Sequence, residues 1–295
     1  MSNSTLPARP PITVLPDTVG VLGGGRMGAG IAHAFLINGA TVVVVERDGD
    51  AAAGARTRVA DAVSKSAARG VLDESPEDVL ARFSTSTDYA AFASCGLVVE
   101  AVPEDFELKV SALKAVEEQL AAGAFLASNT SSLSVTDLAA QLQRPANFVG
   151  LHFFNPVPAS TLIEVVLGGE TSEELAAAAK GWTEALGKTA VVVNDAPGFA
   201  SSRLGVAIAL EAMRMVEEGV ATAADIDNAM VLGYKHPTGP LRTTDIVGLD
   251  VRLGIAEYLQ STLGERFAPP QILRDKVARG ELGRKTGKGF FDWAD

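Results

Sequence analysis

The chain has 295 residues, 47% of them hydrophobic, and carries 25 Lys and Arg against 36 Asp and Glu, a formal net charge of −11. That length supports one large domain or two of ordinary size, and the acidic balance would repel a phosphate backbone, which sets nucleic acid aside as a partner. No stretch approaches the ~20 apolar residues of a membrane span, so no membrane partner is expected. The single cysteine, Cys95, allows no internal disulfide, and no Cys/His cluster has metal-ligand spacing. The opening MSNSTLPARPP has one Arg, two adjacent prolines and no apolar run; residues 1–16 read as a loose arm, not a signal peptide, and a reducing cytoplasm is the expected location.

In chain order, Thr18-Val19-Gly20-Val21-Leu22 reads as a short strand running straight into Gly23-Gly24-Gly25-Arg26-Met27-Gly28, a G-x-G-x-x-G loop. The first glycine permits the tight turn, the second lets backbone approach a pyrophosphate, and the third lets the next helix pack on the strand. Alone the loop is a weak signal. Here the helix AGIAHAFLING follows at once with Gly39 placed to end it, and then comes the strand TVVVV with Glu46 directly behind. A carboxylate at Glu46 would hold the ribose hydroxyls of NAD and repel a 2′-phosphate. Arg47 could accept that phosphate, so the preference for NAD over NADP is not strict. A glycine-rich turn without a ligand is the alternative. His33, inside the helix, reads as packing, and Cys95 as a small residue beside a strand.

LVVEAV (97–102) is an apolar strand apart from Glu100, and PEDFELKVSALKAVEEQLAAG reads as a helix beginning at Pro103 or Glu104 and ended by Gly123. AFLAS, NFVGLHF, TLIEVVL and TAVVVN supply further strands, and TSEELAAAAKGWTEALG a further helix. The alternation predicts an α/β protein whose residues 17–194 form a Rossmann-type, doubly wound, mostly parallel sheet. Ligands of such sheets sit beyond the carboxyl ends of strands. The loops at 102–104, 128–131 and 152–155 are therefore the places for a site.

From NDAPGFASSRLG (194–205) onward no β-branched run recurs, and residues 195–295 read as an all-helical domain for substrate binding and dimerisation. RLGVAIALEAMRMVEEG is apolar over most of its circumference, and TAADIDNAMVLG opens on a Thr222/Asp225 capping box. A helix that apolar belongs in the core of the domain or against a second copy of the chain, and both are expected.

GGGRMGAGIA, VVEAVPEDFELK, SNTSSL, GLHFFNPVP with IEVV, DAPGF, HPTGPL and GRKTGKGFFDW occur in this order between Thr18 and Trp293. Together they resemble the short-chain L-3-hydroxyacyl-CoA dehydrogenases, particularly the bacterial 3-hydroxybutyryl-CoA type. The resemblance implies a two-domain enzyme, homodimeric through its helical domain, that uses NAD to oxidise an (S)-3-hydroxyacyl thioester reversibly to the 3-oxoacyl thioester. The chemistry needs a base of near-neutral pKa on the hydroxyl proton while hydride leaves carbon, and imidazole suits it. His152 stands behind the apolar run Phe148-Val149-Gly150-Leu151. A lone histidine there is ordinarily a satisfied core residue; with the resemblance it becomes the base. Glu164, a carboxylate amid apolar neighbours in TLIEVV, would be costly unless paired, and bonded to the other imidazole nitrogen it would hold the tautomer.

The resemblance further implies that Ser131 bonds the substrate oxygen, that Asn155 serves cofactor and substrate, and that Asn129 or nearby backbone meets the cofactor. Glu104 and Lys109 match positions at the nicotinamide ribose, though in isolation they read as a helix N-terminal acid and a solvated lysine. Lys285 matches a cofactor-facing lysine, with a charged terminal turn as the alternative. Lys65 and Arg69, on the helix after the second strand, are the candidates for the coenzyme A phosphates. One position departs from the family: Ser202 stands where an asparagine usually precedes the arginine after PGF. Serine is shorter and has one donor where the amide has two, which leaves open the acyl group and whether it rides on coenzyme A or a carrier protein. Other readings are a same-fold dehydrogenase of a free hydroxy acid or carnitine-like alcohol, and a dinucleotide-binding protein without turnover.

Overall fold

β-Branched runs build one sheet in the first two-thirds of the chain. The structure, a computed structural model, describes residues 14–293; the expected arm at 1–16 lies outside them except for Val14, Leu15 and Pro16. Eight strands, β1 (Thr18–Leu22), β2 (Thr41–Val45), β3 (Phe83–Ser86), β4 (Leu97–Glu100), β5 (Phe125–Ser128), β6 (Phe148–Phe153), β7 (Leu162–Leu167) and β8 (Thr189–Asn194), are ordered β3-β2-β1-β4-β5-β6-β7-β8. The strand order reverses between β1 and β4, the switch point at which doubly wound sheets bind ligands. Every pairing is parallel except β6 with β7.

The helices of this part are α1 (Arg26–Ile37), α2 (Gly49–Ala68), α3 (Pro76–Ala81), α4 (Phe106–Gln119), α5 (Val135–Ala139) and α6 (Glu173–Ala185). Side-chain caps start most of them, as where Asp48 accepts from Ala51 N and Ser172 from Leu175 N. Ile31, Phe35 and Leu36 of α1 pack with Val19, Val21, Val42 and Val44 into a fully buried core, which makes the β1–α1–β2 unit rigid. His33 is buried in α1 with Nε2 2.9 Å from Ser66 Oγ and Nδ1 unpartnered. Cys95 is buried, and that burial pushes its thiol up to about 11.

The chain divides into two units, one through Asp195 and one from Ala196 on. The second holds α7 (Ser201–Glu217), α8 (Ala223–Asn228), α9 (Pro240–Val247), α10 (Leu249–Leu263) and α11 (Gln271–Ala278). Val206, Leu210, Met213, Leu241, Leu249 and Leu259 form its core. Thr222 accepts from Asp225 N, the N-cap half of the expected capping box, and its hydroxyl, not its backbone N–H, donates to the Asp225 carboxylate. No described helix is long and apolar enough to cross a membrane.

Candidate active site

His152 and Glu164 are brought together by the one antiparallel pairing of the sheet. The connection from β6 to β7, residues 154–161, is shorter than the dozen or so residues a parallel crossover needs. The strands therefore turn back with His152 registered directly on Glu164, and opposite residues share a face. His152 Nδ1 lies 2.8 Å from Glu164 Oε2; the histidine side chain is 9% exposed and the glutamate side chain fully buried. The Phe154 ring packs on the imidazole at 4.4 Å between centroids. Beyond the cis Asn155–Pro156 bond, Lys188 Nζ donates to the carbonyls of Val157 (2.8 Å) and Ser160 (2.5 Å), which pins the loop that follows the histidine. Burial holds that lysine below its usual range.

A second constellation closes the neighbouring strands. Glu100, the last residue of β4, is fully buried: Oε1 accepts from Val102 N and Lys109 Nζ, both at 2.7 Å, and Oε2 from Ser128 Oγ at 2.6 Å. Lys109 also donates to Val102 O at 3.2 Å and meets Glu104 Oε2 at 3.4 Å. Glu104 Oε1 gathers Thr130 Oγ1 (2.7 Å), Ser131 N (2.8 Å), Ser132 N (3.0 Å) and the hydroxyls of Ser131 and Ser132 (3.2 and 3.1 Å). Burial pushes the Glu104 carboxyl up, but the Lys109 charge and these donors outweigh it and hold the group below the ordinary carboxylate range. Asn129 donates its backbone N–H to Glu100 O and accepts Phe153 N on Oδ1 at 2.9 Å, joining the ends of β4, β5 and β6.

Two readings made from the residues alone are corrected here. Lys109 is not a solvated lysine; it is 1% exposed, because two carboxylates face it from the strand end and the loop. Glu104 is not a helix N-terminal acid. Asp105 caps α4 by accepting from Leu108 N at 2.8 Å, which starts the helix at Phe106 and leaves Glu104 in the loop, facing Ser131. Glu100 was passed over as an exception within an apolar strand. A charge with no exposed face in a sheet core must have a partner, the reasoning applied to Glu164, and it would have singled out Glu100 too.

The glycine loop fits a dinucleotide. Gly23 has φ +89°, a Cβ on Gly28 would run into the Gly23 carbonyl, and a Cβ on Gly25 would meet nothing within 4 Å, so the loop turns, packs its helix and leaves an open cradle at the N-terminus of α1. Glu46 Oε1 accepts from Gly24 N at 2.7 Å, fixing its carboxylate beside the loop. A cleft of about 630 Å³ runs past Gly23, Gly25, Arg26, Met27, Glu46 and Tyr89. Tyr89, in the turn after β3, and Arg58, whose Nη1 donates to Gly24 O at 3.0 Å, carried no sequence signal, since α2 and that turn lack a motif.

Arg26 also lines a second cleft, about 310 Å³, with Arg58, Asp61, Lys65, Asn155 and Pro156. Lys65 and Asn155 thus share a surface; Arg69, at the C-terminal end of α2, falls outside that lining. In the second unit Ser202 stands in the first turn of α7, and Lys285 Nζ lies 2.6 Å from both oxygens of Asp250. No group of His, Cys, Asp and Glu among the described residues could hold a metal ion.

Comparison with known proteins agrees with these features. Residues 18–196 match the model of the 3-hydroxyacyl-CoA dehydrogenase NAD binding domain, and residues 198–293 that of the 3-hydroxyacyl-CoA dehydrogenase C-terminal domain. A probable 3-hydroxybutyryl-CoA dehydrogenase of Deinococcus radiodurans is 42% identical over 275 residues, 93% of this chain and 99% of the relative. The human mitochondrial hydroxyacyl-coenzyme A dehydrogenase is 38% identical, covering 95% of this chain and 92% of its own length. The crystal structure of (S)-3-hydroxybutyryl-CoA dehydrogenase from Ralstonia eutropha superposes with a TM-score of 0.91 at 37% identity, covering 95% of this chain and 100% of that one. The chain belongs to the 3-hydroxyacyl-CoA dehydrogenase family of NAD-dependent oxidoreductases.

Proposed function

We propose that this enzyme oxidises (S)-3-hydroxyacyl-CoA, of the 3-hydroxybutyryl class, to 3-oxoacyl-CoA and catalyses the reverse reduction. The observation that carries the reading is the buried 2.8 Å pair of His152 Nδ1 and Glu164 Oε2. With Nδ1 held by the carboxylate, Nε2 is the nitrogen that takes the proton of the substrate hydroxyl. Glu164 then faces a forming imidazolium and stabilises it, and in the reverse direction His152 returns the proton. NAD, when bound, supplies the acceptor for the hydride that leaves C3. The chain's part is to bind, orient and move the proton: Gly23, Gly25, Arg26, Met27 and Gly28 seat the pyrophosphate, Glu46 the adenine-side ribose, and Glu104, Lys109, Asn129 and Lys285 the nicotinamide side. Ser131 and Asn155 align the substrate oxygen.

Lys65 and Arg69 are assigned to the coenzyme A phosphates, with Lys65 the stronger because it lines the cleft with Asn155. Ser202 shapes the acyl pocket. A structure described as a diketoreductase acting on dicarbonyl compounds, TM-score 0.83 at 27% identity, supports the second reading, a same-fold dehydrogenase of a related hydroxy compound. The working form is a cytoplasmic homodimer that pairs through the helical unit. There Leu204, 63% exposed, and Tyr234, 75% exposed, stand near an apolar groove of about 490 Å³ along α7.

The test is the loss of NADH absorbance with acetoacetyl-CoA and, as control, free acetoacetate. Turnover of the thioester alone is expected. Turnover of neither by a protein that binds NADH would overturn the substrate assignment and make Ser202 the first residue to change.

A further inference from the structure

Two carboxylates share one ammonium at the carboxyl ends of β4 and β5. Glu100 and Glu104 both reach Lys109 Nζ, at 2.7 and 3.4 Å, with no other cation in an ion pair with either acid among the described residues. The groups around Glu100 are all able to donate to it: a backbone N–H, the ammonium and the Ser128 hydroxyl. Glu104 is likewise ringed by two N–H groups and three hydroxyls. The cluster thus sets two acids, one fully buried and one at the surface, against a single ammonium. Charge buried away from water is weakly screened and acts over several residues.

We propose that Glu100, a fully buried residue, is a positioning residue that gives this end of the site its net negative charge and so biases the enzyme toward the oxidised cofactor. The inference rests on the NAD reading. Cofactor in a doubly wound sheet lies beyond these strand ends, and the nicotinamide ring is cationic when oxidised and neutral when reduced. A fixed negative charge stabilises the first form and leaves the second untouched. Lys109 alone would do the opposite. Glu104 roughly cancels Lys109, and Glu100, behind both, tips the sum. Glu100 achieves this without an exposed atom, which is why the strand can carry it in the core.

The experiment measures the dissociation constants of NAD and NADH by calorimetry on the full-length protein, with no turnover involved. Glu100→Gln keeps the shape and one acceptor oxygen and removes the charge. It is expected to raise the ratio of the NAD constant to the NADH constant by about threefold to tenfold. Glu104→Gln, nearer the surface and less demanding on folding, should move the ratio the same way. Ser128→Ala removes a donor to Glu100 without changing the charge and should leave the ratio where it is. A loss of folded protein lowers both affinities equally and cancels in the ratio, so a purely structural role would not move it. A ratio unchanged or lowered in both charge-removing variants overturns the inference. Failure of the unaltered protein to bind either nucleotide would instead overturn the cofactor reading.

Discussion

The two units bury the same kind of side chain to different ends. In the sheet unit the two fully buried carboxylates face titratable side chains, Glu164 facing His152 and Glu100 facing Lys109, whereas the buried Glu117 accepts from the backbone N–H groups of Gln143 and Arg144. In the helical unit the buried carboxylates face backbone. Asp227 accepts from Leu241 N and Arg242 N and so caps the N-terminus of α9. Asp245 accepts from Phe290 N and Phe291 N, both at 2.9 Å, and from the Trp293 indole at 2.8 Å. An amide N–H neither titrates nor hands on a proton, so these aspartates are clamps. An imidazole or an ammonium can change its charge or its partner, so Glu164 and Glu100 can take part in chemistry, while Glu117, held by backbone, is a clamp like the aspartates. The HPTGPL and GRKTGKGFFDW motifs are accordingly explained in large part by what Asp227 and Asp245 hold.

Four changes would break or sharpen that contrast. The largest effect is expected from His152→Gln, which should lower kcat by about 10²- to 10⁴-fold while NADH affinity, read by fluorescence titration, stays near that of the unaltered protein. A loss under tenfold would place His152 with the clamps. Asp245→Ala strands three donors at once and should destabilise the protein by about 3 kcal/mol in urea unfolding. A change below about 0.5 kcal/mol would mean that the C-terminal segment holds without its clamp. Leu204→Asp puts a charge on the exposed apolar face of α7 and should weaken self-association by about 2 kcal/mol, seen as monomer in sedimentation at concentrations where the unaltered chain is dimeric. An unaltered chain that is monomeric throughout would remove the dimer from the reading.

The smallest effect concerns His33. Burial, helped by the Lys188 charge, holds its imidazole below the ordinary 6.5. The unfolded chain therefore takes up a proton that the folded one refuses. Stability from this group is complete above pH about 6.5 and is lost as pH falls from there through the lower folded value. His33→Gln should flatten that part of the stability curve, and an unchanged slope would assign the acid sensitivity to other groups.

Much of the site was legible before any coordinates. The glycine loop, the acid after β2 and a carboxylate marooned in TLIEVV each break a local pattern for a chemical reason, and a break in an apolar strand is visible in one dimension. Lys109 was misread because a lysine in a helix gives no sign of which face it occupies, and its burial follows from Glu100 and Glu104, on a strand and a loop that only the fold carries to it. Arg58 and Tyr89 were invisible for the same reason.

By itself the sequence determined seven of the eight strands and the longer helices, since side-chain period and capping chemistry act locally, but not β3, whose FSTS carries no apolar run; it also determined the chemical repertoire: one glycine cradle, few histidines and several acids in apolar settings. The tertiary structure alone decided the pairings. The β6–β7 reversal placed Glu164 opposite His152, and the side-by-side packing of β4 and β5 placed Ser128 on Glu100. Hydrogen bonds act over about 3 Å, and closeness of that kind between residues far apart in the chain is settled by strand order and register.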